Sequence, residues 1–196
     1  MRPGLDAWEK LFAPYDEATY RAALSYVHAD DVMLDIGAGD LRLARRMATQ
    51  ARHVFALEMQ PHLLAGASPL PDNLTVICAD ARSIPWPPNI SLGVLLMRHC
   101  THVGLYAARL RAVGCRRLIT NARWGMGVEL MDLGPRVAWS AVKMGRYACL
   151  CGQTGFVPGP AEQLTEKHLE SVTEVEFCPS CMNNQAQPAN FIAPKP

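Results

Sequence analysis

The sequence predicts an α/β protein built on a doubly wound parallel sheet. Three observations carry that prediction. Five short apolar runs, at 32–36, 53–57, 75–79, 92–97 and 116–120, have the length of buried strands. Segments of helical periodicity or crossover loops separate them, as parallel pairing requires. The first run breaks at Gly37-Ala38-Gly39, and the next two end at Glu58 and Asp80, at the strand ends where open α/β sheets bind ligands.

The elements follow in order. Pro14 precedes a run with apolar residues at Ala18, Ala22 and Tyr26 and, one register over, Ala23 and Val27, which gives a helix with one buried face. Val32-Met33-Leu34-Asp35-Ile36 is the first strand, cut off sharply by the glycines. Helical spacing resumes at Leu41, Ala44, Met47, Ala48 and Ala51, and the second and third strands lie at 53–57 and 75–79. Pro85-Trp86-Pro87-Pro88 reads as an extended loop, because three prolines remove donors and clash with a helical backbone. The fourth strand, a helical segment at 106–113 and the fifth strand come next. Gly125 and Gly127 mark a turn before a helix expected over 137–144. The tail from 182 to 196 is rich in Asn, Gln and Pro and is expected to fray.

At 196 residues and 49% apolar, the chain can bury one full core and is short for two. The expected organisation is one domain over 1–181 and a flexible tail over 182–196. Lys and Arg number 19 and Asp and Glu 18, a net charge of +1. Such balance excludes a wholly disordered chain and a protein that holds nucleic acid by bulk charge alone. The first eleven residues carry Arg2, Asp6, Glu9 and Lys10 without the apolar stretch of a secretory signal. No run of about 18 apolar residues occurs, so no membrane span is expected. Seven cysteines, an odd number, without a signal argue for reduced thiols in a cytoplasmic protein.

Leu34-Asp35-Ile36-Gly37-Ala38-Gly39-Asp40 is the strongest constellation. Glycines at a strand end let a ligand approach the backbone without a Cβ in the way. A carboxylate ending the second strand can accept both hydroxyls of a ribose, and one after the third can accept from an adenine amino group. A dinucleotide fingerprint would need a small residue where Arg42 stands. Asp35, just before the glycines, would also repel a pyrophosphate but suits a ligand that carries an ammonium group.

At this point the chain resembles the class I S-adenosylmethionine-dependent methyltransferases. The matching residues are Asp35-Ile36-Gly37-Ala38-Gly39, Glu58, and Ala79-Asp80-Ala81 followed by Ser83-Ile84-Pro85-Trp86-Pro87, and the resemblance covers roughly 15–145. It implies a Rossmann-like methyltransferase sheet with S-adenosylmethionine as cofactor and S-adenosylhomocysteine as product. By the same resemblance Asp35, Gly37 and Gly39 line the methionine moiety, Glu58 holds the ribose, and Met59 packs on the adenine. Asp80 and Ala81 meet the adenine edge, and Tyr15 or Tyr20 closes the pocket. The last two strands of that fold form an antiparallel pair, here 147–150 and 172–177.

The resemblance puts the acceptor at the fourth strand end, which reads Met97-Arg98-His99-Cys100-Thr101-His102. Nucleic-acid-modifying members often carry Asn or Asp, two prolines and an aromatic there, so an exocyclic-amine methylase is disfavoured. His99 could take a proton from the acceptor, and Arg98 could anchor a phosphate or carboxylate. Three other readings stay open: Cys100 as a covalent nucleophile, His99, Cys100 and His102 as metal ligands, or a polar loop that covers the cofactor. Asn121-Ala122-Arg123-Trp124 offers a second polar cluster after the fifth strand.

Cys149-x-Cys151-Gly152 and Cys178-Pro179-Ser180-Cys181 are two close thiol pairs with 26 residues between them. Four soft ligands on two short knuckles suit tetrahedral zinc, with an iron–sulfur cluster as the alternative. A metal there would clamp a C-terminal cysteine-rich hairpin. Arg42, Arg45, Arg46 and Arg52, and again Arg109, Arg111, Arg116 and Arg117, could form a phosphate-binding stripe or a solvated face.

The function expected from these readings is S-adenosylmethionine-dependent methyl transfer to an unidentified acceptor, leaning to RNA or protein. The alternatives are a catalytically inactive cofactor-binding module that holds a partner through its zinc hairpin, and a nicotinamide-dependent oxidoreductase.

Overall fold

Asp16 starts the first described helix. Its carboxylate accepts the N–H of Thr19 at 2.7 Å, and α1 (Glu17–Leu24) follows with Tyr20 and Ala23 buried. The computed structural model describes residues 13–123 and 127–184, and the chain divides between Pro135 and Arg136 into two compact units. The readings made on the first eleven residues, on Trp124 and Gly125, and on 185–196 fall outside the described residues.

The first unit is a six-stranded sheet made of β1 (Val32–Ile36), β2 (His53–Glu58), β3 (Leu74–Cys78), β4 (Leu92–Leu95), β5 (Arg117–Thr120) and β6 (Glu129–Asp132). The order is β3-β2-β1-β4-β5-β6. The first five strands pair in parallel and β6 runs antiparallel to β5. The crossovers carry α2 (Arg42–Ala48), α3 (Pro61–Leu64) and α4 (Val103–Ala112). β1 and β4 are nearly all apolar because both their faces are covered: Met33, Leu34, Ile36, Leu92, Val94 and Leu95 are fully buried. Leu41, Ala44 and Met47 share one apolar cluster with Met33, Val54 and Ala56.

The register sets where the site lies. Ile36 is level with Leu57, Leu57 with Ile77, and Asp35 with Val94. Gly37, Glu58, Ala79 and Leu96 therefore emerge at one edge, the C-terminal one. At the opposite end the buried Asp31 ties the strand starts together. It accepts from the Ser91 hydroxyl at 2.6 Å, the His28 N–H at 2.8 Å and the Arg117 guanidinium.

The second unit is a three-stranded sheet of β7 (Gly145–Cys149), β8 (Thr154–Val157) and β9 (Val172–Val175), in the order β8-β7-β9. Here two expectations are corrected. The segments expected as an antiparallel pair run parallel, with Arg146 opposite Val172 and Cys149 opposite Val175. The reason is the connection: after β8 the chain makes a 3₁₀ turn, Ala161–Gln163, and α5 (Glu166–Glu170), enough to return it to the starting end. The hairpin partner of β7 is β8, across the Cys151-Gly152 turn. The helix expected over 137–144 is a single 3₁₀ turn, Trp139–Ala141, preceded by a bridge from Val137 to Val175. α6 (Pro179–Asn184) is the last described element. Among the described residues, no helix is long and apolar enough to cross a membrane.

Candidate cofactor pocket and cysteine centre

A cavity of about 560 Å³ opens at the C-terminal edge of the six-stranded sheet. The turn after β1 forms its floor. Gly37 and Gly39 are left-handed, at φ +74° and +58°, and Leu41 follows at +65°. The N–H groups of Gly37 and Ala38 both reach the Leu57 carbonyl at 2.9 Å, which pins the turn to β2. A Cβ on Gly37 would lie 3.1 Å from the Met97 sulfur, so this position needs glycine for both its φ and its space.

Two buried acids face this turn. Asp35 is 3% exposed and its Oδ2 has no hydrogen-bond partner. Burial, and after it the Glu58 charge, push the Asp35 carboxyl up to about 7. Glu58, at the end of β2, is held from two sides: Gly39 N–H donates to Oε2 and Gln60 N–H to Oε1, each at 2.8 Å. Of the residues assigned to the cofactor by resemblance, Asp35, Gly37, Glu58, Met59, Asp80 and Ala81 line the cavity. Gly39 does not line it, and its amide goes to Glu58.

The third strand end differs from the sequence reading in one respect. Asp80 stands in an ion pair with Arg82, whose Nε and second guanidinium nitrogen lie 2.9–3.1 Å from the carboxylate oxygens. That pair and the Arg82 N–H hold the Asp80 carboxyl below the ordinary range. An adenine amino group there would meet a carboxylate already paired with a guanidinium.

Tyr15 is stitched across the fourth strand end. Its hydroxyl donates to the Leu96 carbonyl at 3.0 Å and accepts the Arg98 N–H at 3.3 Å. The Arg98 guanidinium stacks 4.6 Å from the Tyr15 ring. Tyr15 and Tyr20 both line the cavity. Arg98 and His99 are exposed, and they line this cavity and also an open cleft bounded by Ala18, Thr19, Ala22, Gly127 and Val128. Arg98 therefore stands between the pocket and a second recess. Cys100 lines the pocket too. Asn121 is fully buried, and Arg123 forms a two-pronged ion pair with Glu129 at 2.8 Å.

Much of the basic stripe is spent within the fold. Arg42 pairs with Asp40 and Arg46 with Glu17, while Arg45 donates to the Pro69 and Ala67 carbonyls. Arg117 is committed to Asp31, and Arg109 to the carbonyls of Ala81 and Ile84.

Among the described residues, one group of His, Cys, Asp or Glu is close enough to share a metal ion, and it is Cys149, Cys151, Cys178 and Cys181. His99, Cys100 and His102 do not converge in that way. Cys149 ends β7, Cys151 sits in the turn to β8 beside the left-handed Gly152, and Cys178 and Cys181 bracket the start of α6. The sulfurs of Cys149 and Cys181 are 3.6 Å apart, of Cys151 and Cys178 3.7 Å, and of Cys178 and Cys181 3.8 Å. All four lie within 4.8 Å of one another. A tetrahedron with Zn–S bonds of about 2.3 Å has edges of about 3.8 Å. Burial pushes the Cys149 and Cys151 thiols up. Cys178, despite its burial, is held below the ordinary thiol value by the Cys181 N–H and its neighbouring thiols.

No family model matches the chain, and no curated protein matches it. Solved structures do. The chain is similar to the 23S rRNA methyltransferase ErmE at 23% identity and a TM-score of 0.47, over 56% of this chain and 47% of that one. It is similar to a dimethyladenosine transferase from Plasmodium falciparum at 13% identity and a TM-score of 0.47, over 56% and 42%. It is similar to a precorrin 8W decarboxylase from Methanobacterium thermoautotrophicum at 21% identity and a TM-score of 0.45, over 57% and 65%. The chain thus spans less than two thirds of the length of each. Its own strand order, with five parallel strands and an antiparallel sixth, makes the first unit the Rossmann-like doubly wound sheet expected from the sequence.

Proposed function

We propose that this chain is an S-adenosylmethionine-dependent methyltransferase acting on a macromolecule, RNA or protein, and that its cysteine centre holds zinc. The observation that carries the first part is Asp35, a buried acid in the cavity with one oxygen lacking a partner. A buried carboxylate in this state calls for a cationic ligand. A cofactor with an ammonium group and a sulfonium supplies that charge, and its ribose suits the lone pairs that Glu58 keeps beyond its two backbone donors. The chemistry supplied with such a cofactor is an electrophilic methyl carbon on sulfur, open to in-line displacement.

The chain's own residues would then bind and align. Asp35 and the Gly37 turn hold the amino-acid end, and Glu58 the ribose. Met59, Asp80 and Ala81 take the base. Arg98 binds an acidic group of the acceptor from the open cleft, while His99, beside it, accepts the acceptor's proton. Sulfur separations near a tetrahedral edge and all within 4.8 Å suit one ion better than the wider frame of a multi-iron cluster.

A second reading is favoured by the fourth strand end, Met97-Arg98-His99-Cys100, which departs from the acid-and-proline pattern of many nucleic-acid methylases. Under it the protein binds the cofactor but serves to hold a partner. The deciding experiment is transfer of radiolabelled methyl from S-adenosylmethionine to a cell extract by the metal-replete protein, with the products split by nuclease and protease. Label in either macromolecular fraction establishes the enzyme and its acceptor class. Cofactor binding without label favours the partner-holding module. Glu58→Ala is expected to weaken S-adenosylhomocysteine at least about tenfold in calorimetry. Unchanged affinity would remove the ribose assignment.

A further inference from the structure

Arg109 does not line the cavity, yet it holds one of its walls. The loop that follows β3 carries Asp80, Ala81 and Arg82 to the cavity, and its tie to β2 is the Ala79 N–H on the Glu58 carbonyl at 3.0 Å. Its first turn is local: the Ser83 N–H and hydroxyl both donate to the Asp80 carbonyl at 3.0 Å. From the fold come a different set of tethers. The Arg109 guanidinium donates to the carbonyls of Ala81 and Ile84 at once. It also stacks 4.5 Å from the Trp86 ring, and the Trp86 indole N–H donates to the Ala81 carbonyl at 2.9 Å. Trp86 in turn stacks on Tyr106, one turn before Arg109 on α4, with ring centroids 6.3 Å apart and planes 22° apart. Ala81 thus receives two donors on one carbonyl, and Tyr106 joins it in lining the cavity.

We propose that Arg109 is a positioning residue for the adenosine half of the bound cofactor, acting through the Ala81 and Ile84 carbonyls and the face of Trp86. The proposal rests on the cofactor reading above. The guanidinium is suited to it because a planar fork reaches two carbonyls while its face lies on an indole. A lysine keeps the charge and loses both the fork and the stack. α4 itself does not depend on Arg109, since its packed face is Val103, Tyr106, Ala107 and Leu110.

The test compares two ligands on the full chain: S-adenosylhomocysteine, and 5′-methylthioadenosine, which keeps the adenosine and lacks the amino-acid end. Arg109→Lys is expected to weaken both by the same factor, about tenfold, while the melting temperature holds. Asp35→Asn is expected to weaken the first and spare the second. Trp86→Phe, which keeps a ring for the stack but loses the N–H, is expected to weaken both by about threefold. Wild-type affinity of Arg109→Lys for both ligands overturns the proposal. So does a loss confined to S-adenosylhomocysteine, or a loss that only follows a collapsed melting transition. If the wild-type chain binds neither compound, the cofactor reading itself fails, and that outcome is distinct from an Arg109 effect that is absent while wild-type binding is present.

Discussion

Asp35 concentrates the chemistry of the first unit in one side chain. The folded chain holds its carboxyl near 7 where an exposed aspartate sits near 3.8, so between those values the folded state keeps a proton that the unfolded state has lost. Stability without ligand therefore falls as pH rises from about 4 to 7, by at most about 4 kcal/mol. Asp35→Asn removes that loss. Its melting temperature is expected to gain on the wild type as pH goes from 5 to 8, and equal differences at both pH values would refute the assignment. A cationic ligand acts in the opposite sense by drawing the ionised form. Binding of S-adenosylmethionine at pH 6 should thus release a proton, seen as a calorimetric enthalpy that depends on the buffer, and Asp35→Asn should abolish that dependence.

Elements place these residues, and β4 shows how tightly. Gly93 lies inside that strand, paired with both β1 and β5, and a Cβ there would come within 2.4 Å of Leu110 on α4 and 3.2 Å of Leu118 on β5. Leu110 and Leu118 are fully buried and have little room to yield. Gly93→Ala is expected to cost about 1–3 kcal/mol by overpacking, measured by denaturant unfolding. A neutral result would mean that α4 can slide away from the sheet. The parallel strands and the glycine turn were legible because both-face burial leaves continuous apolar runs and because left-handed turns favour glycine. Edge elements were not. β6, Glu129–Asp132, shows only a four-residue alternation with Met131 inward and Leu130 half-exposed, too short to register as period two. The direction of β9 depends on α5, whose five residues lack a recognisable apolar face, so the chain's return was invisible. In the site, the acids were legible from strand ends, but the Arg82 partner of Asp80 and the Arg109 tether were not, since both depend on where loops come to rest.

At the scale of the molecule, the cavity and the cysteine cluster fall in different units. Every residue lining the cavity precedes Pro135, and all four cysteines follow Arg136. The second unit is small, and domains of its size are marginal on apolar burial. Its buried cluster is Cys149, Val175 and Cys178, with Trp139, Val142, Tyr147, Cys151 and Cys181 packed around it, so thiols form half of its core. Four sulfurs this close repel one another once ionised, and a divalent cation among them turns that cost into folding free energy. Chelation should therefore open the second unit while leaving the first intact. In limited trypsin digestion with a strong chelator, cleavage at Lys143, Arg146 and Lys167 is expected to become fast while the fragment ending before them persists. S-adenosylhomocysteine affinity should be retained. Cys178→Ser should give the same pattern without chelator and lower the zinc content from one per chain. Unchanged protection after the metal is stripped would mean that the four thiols pack as ordinary core. If methyl transfer is lost on chelation while cofactor affinity holds, the second unit serves the acceptor, because the loss then lies outside the cofactor pocket.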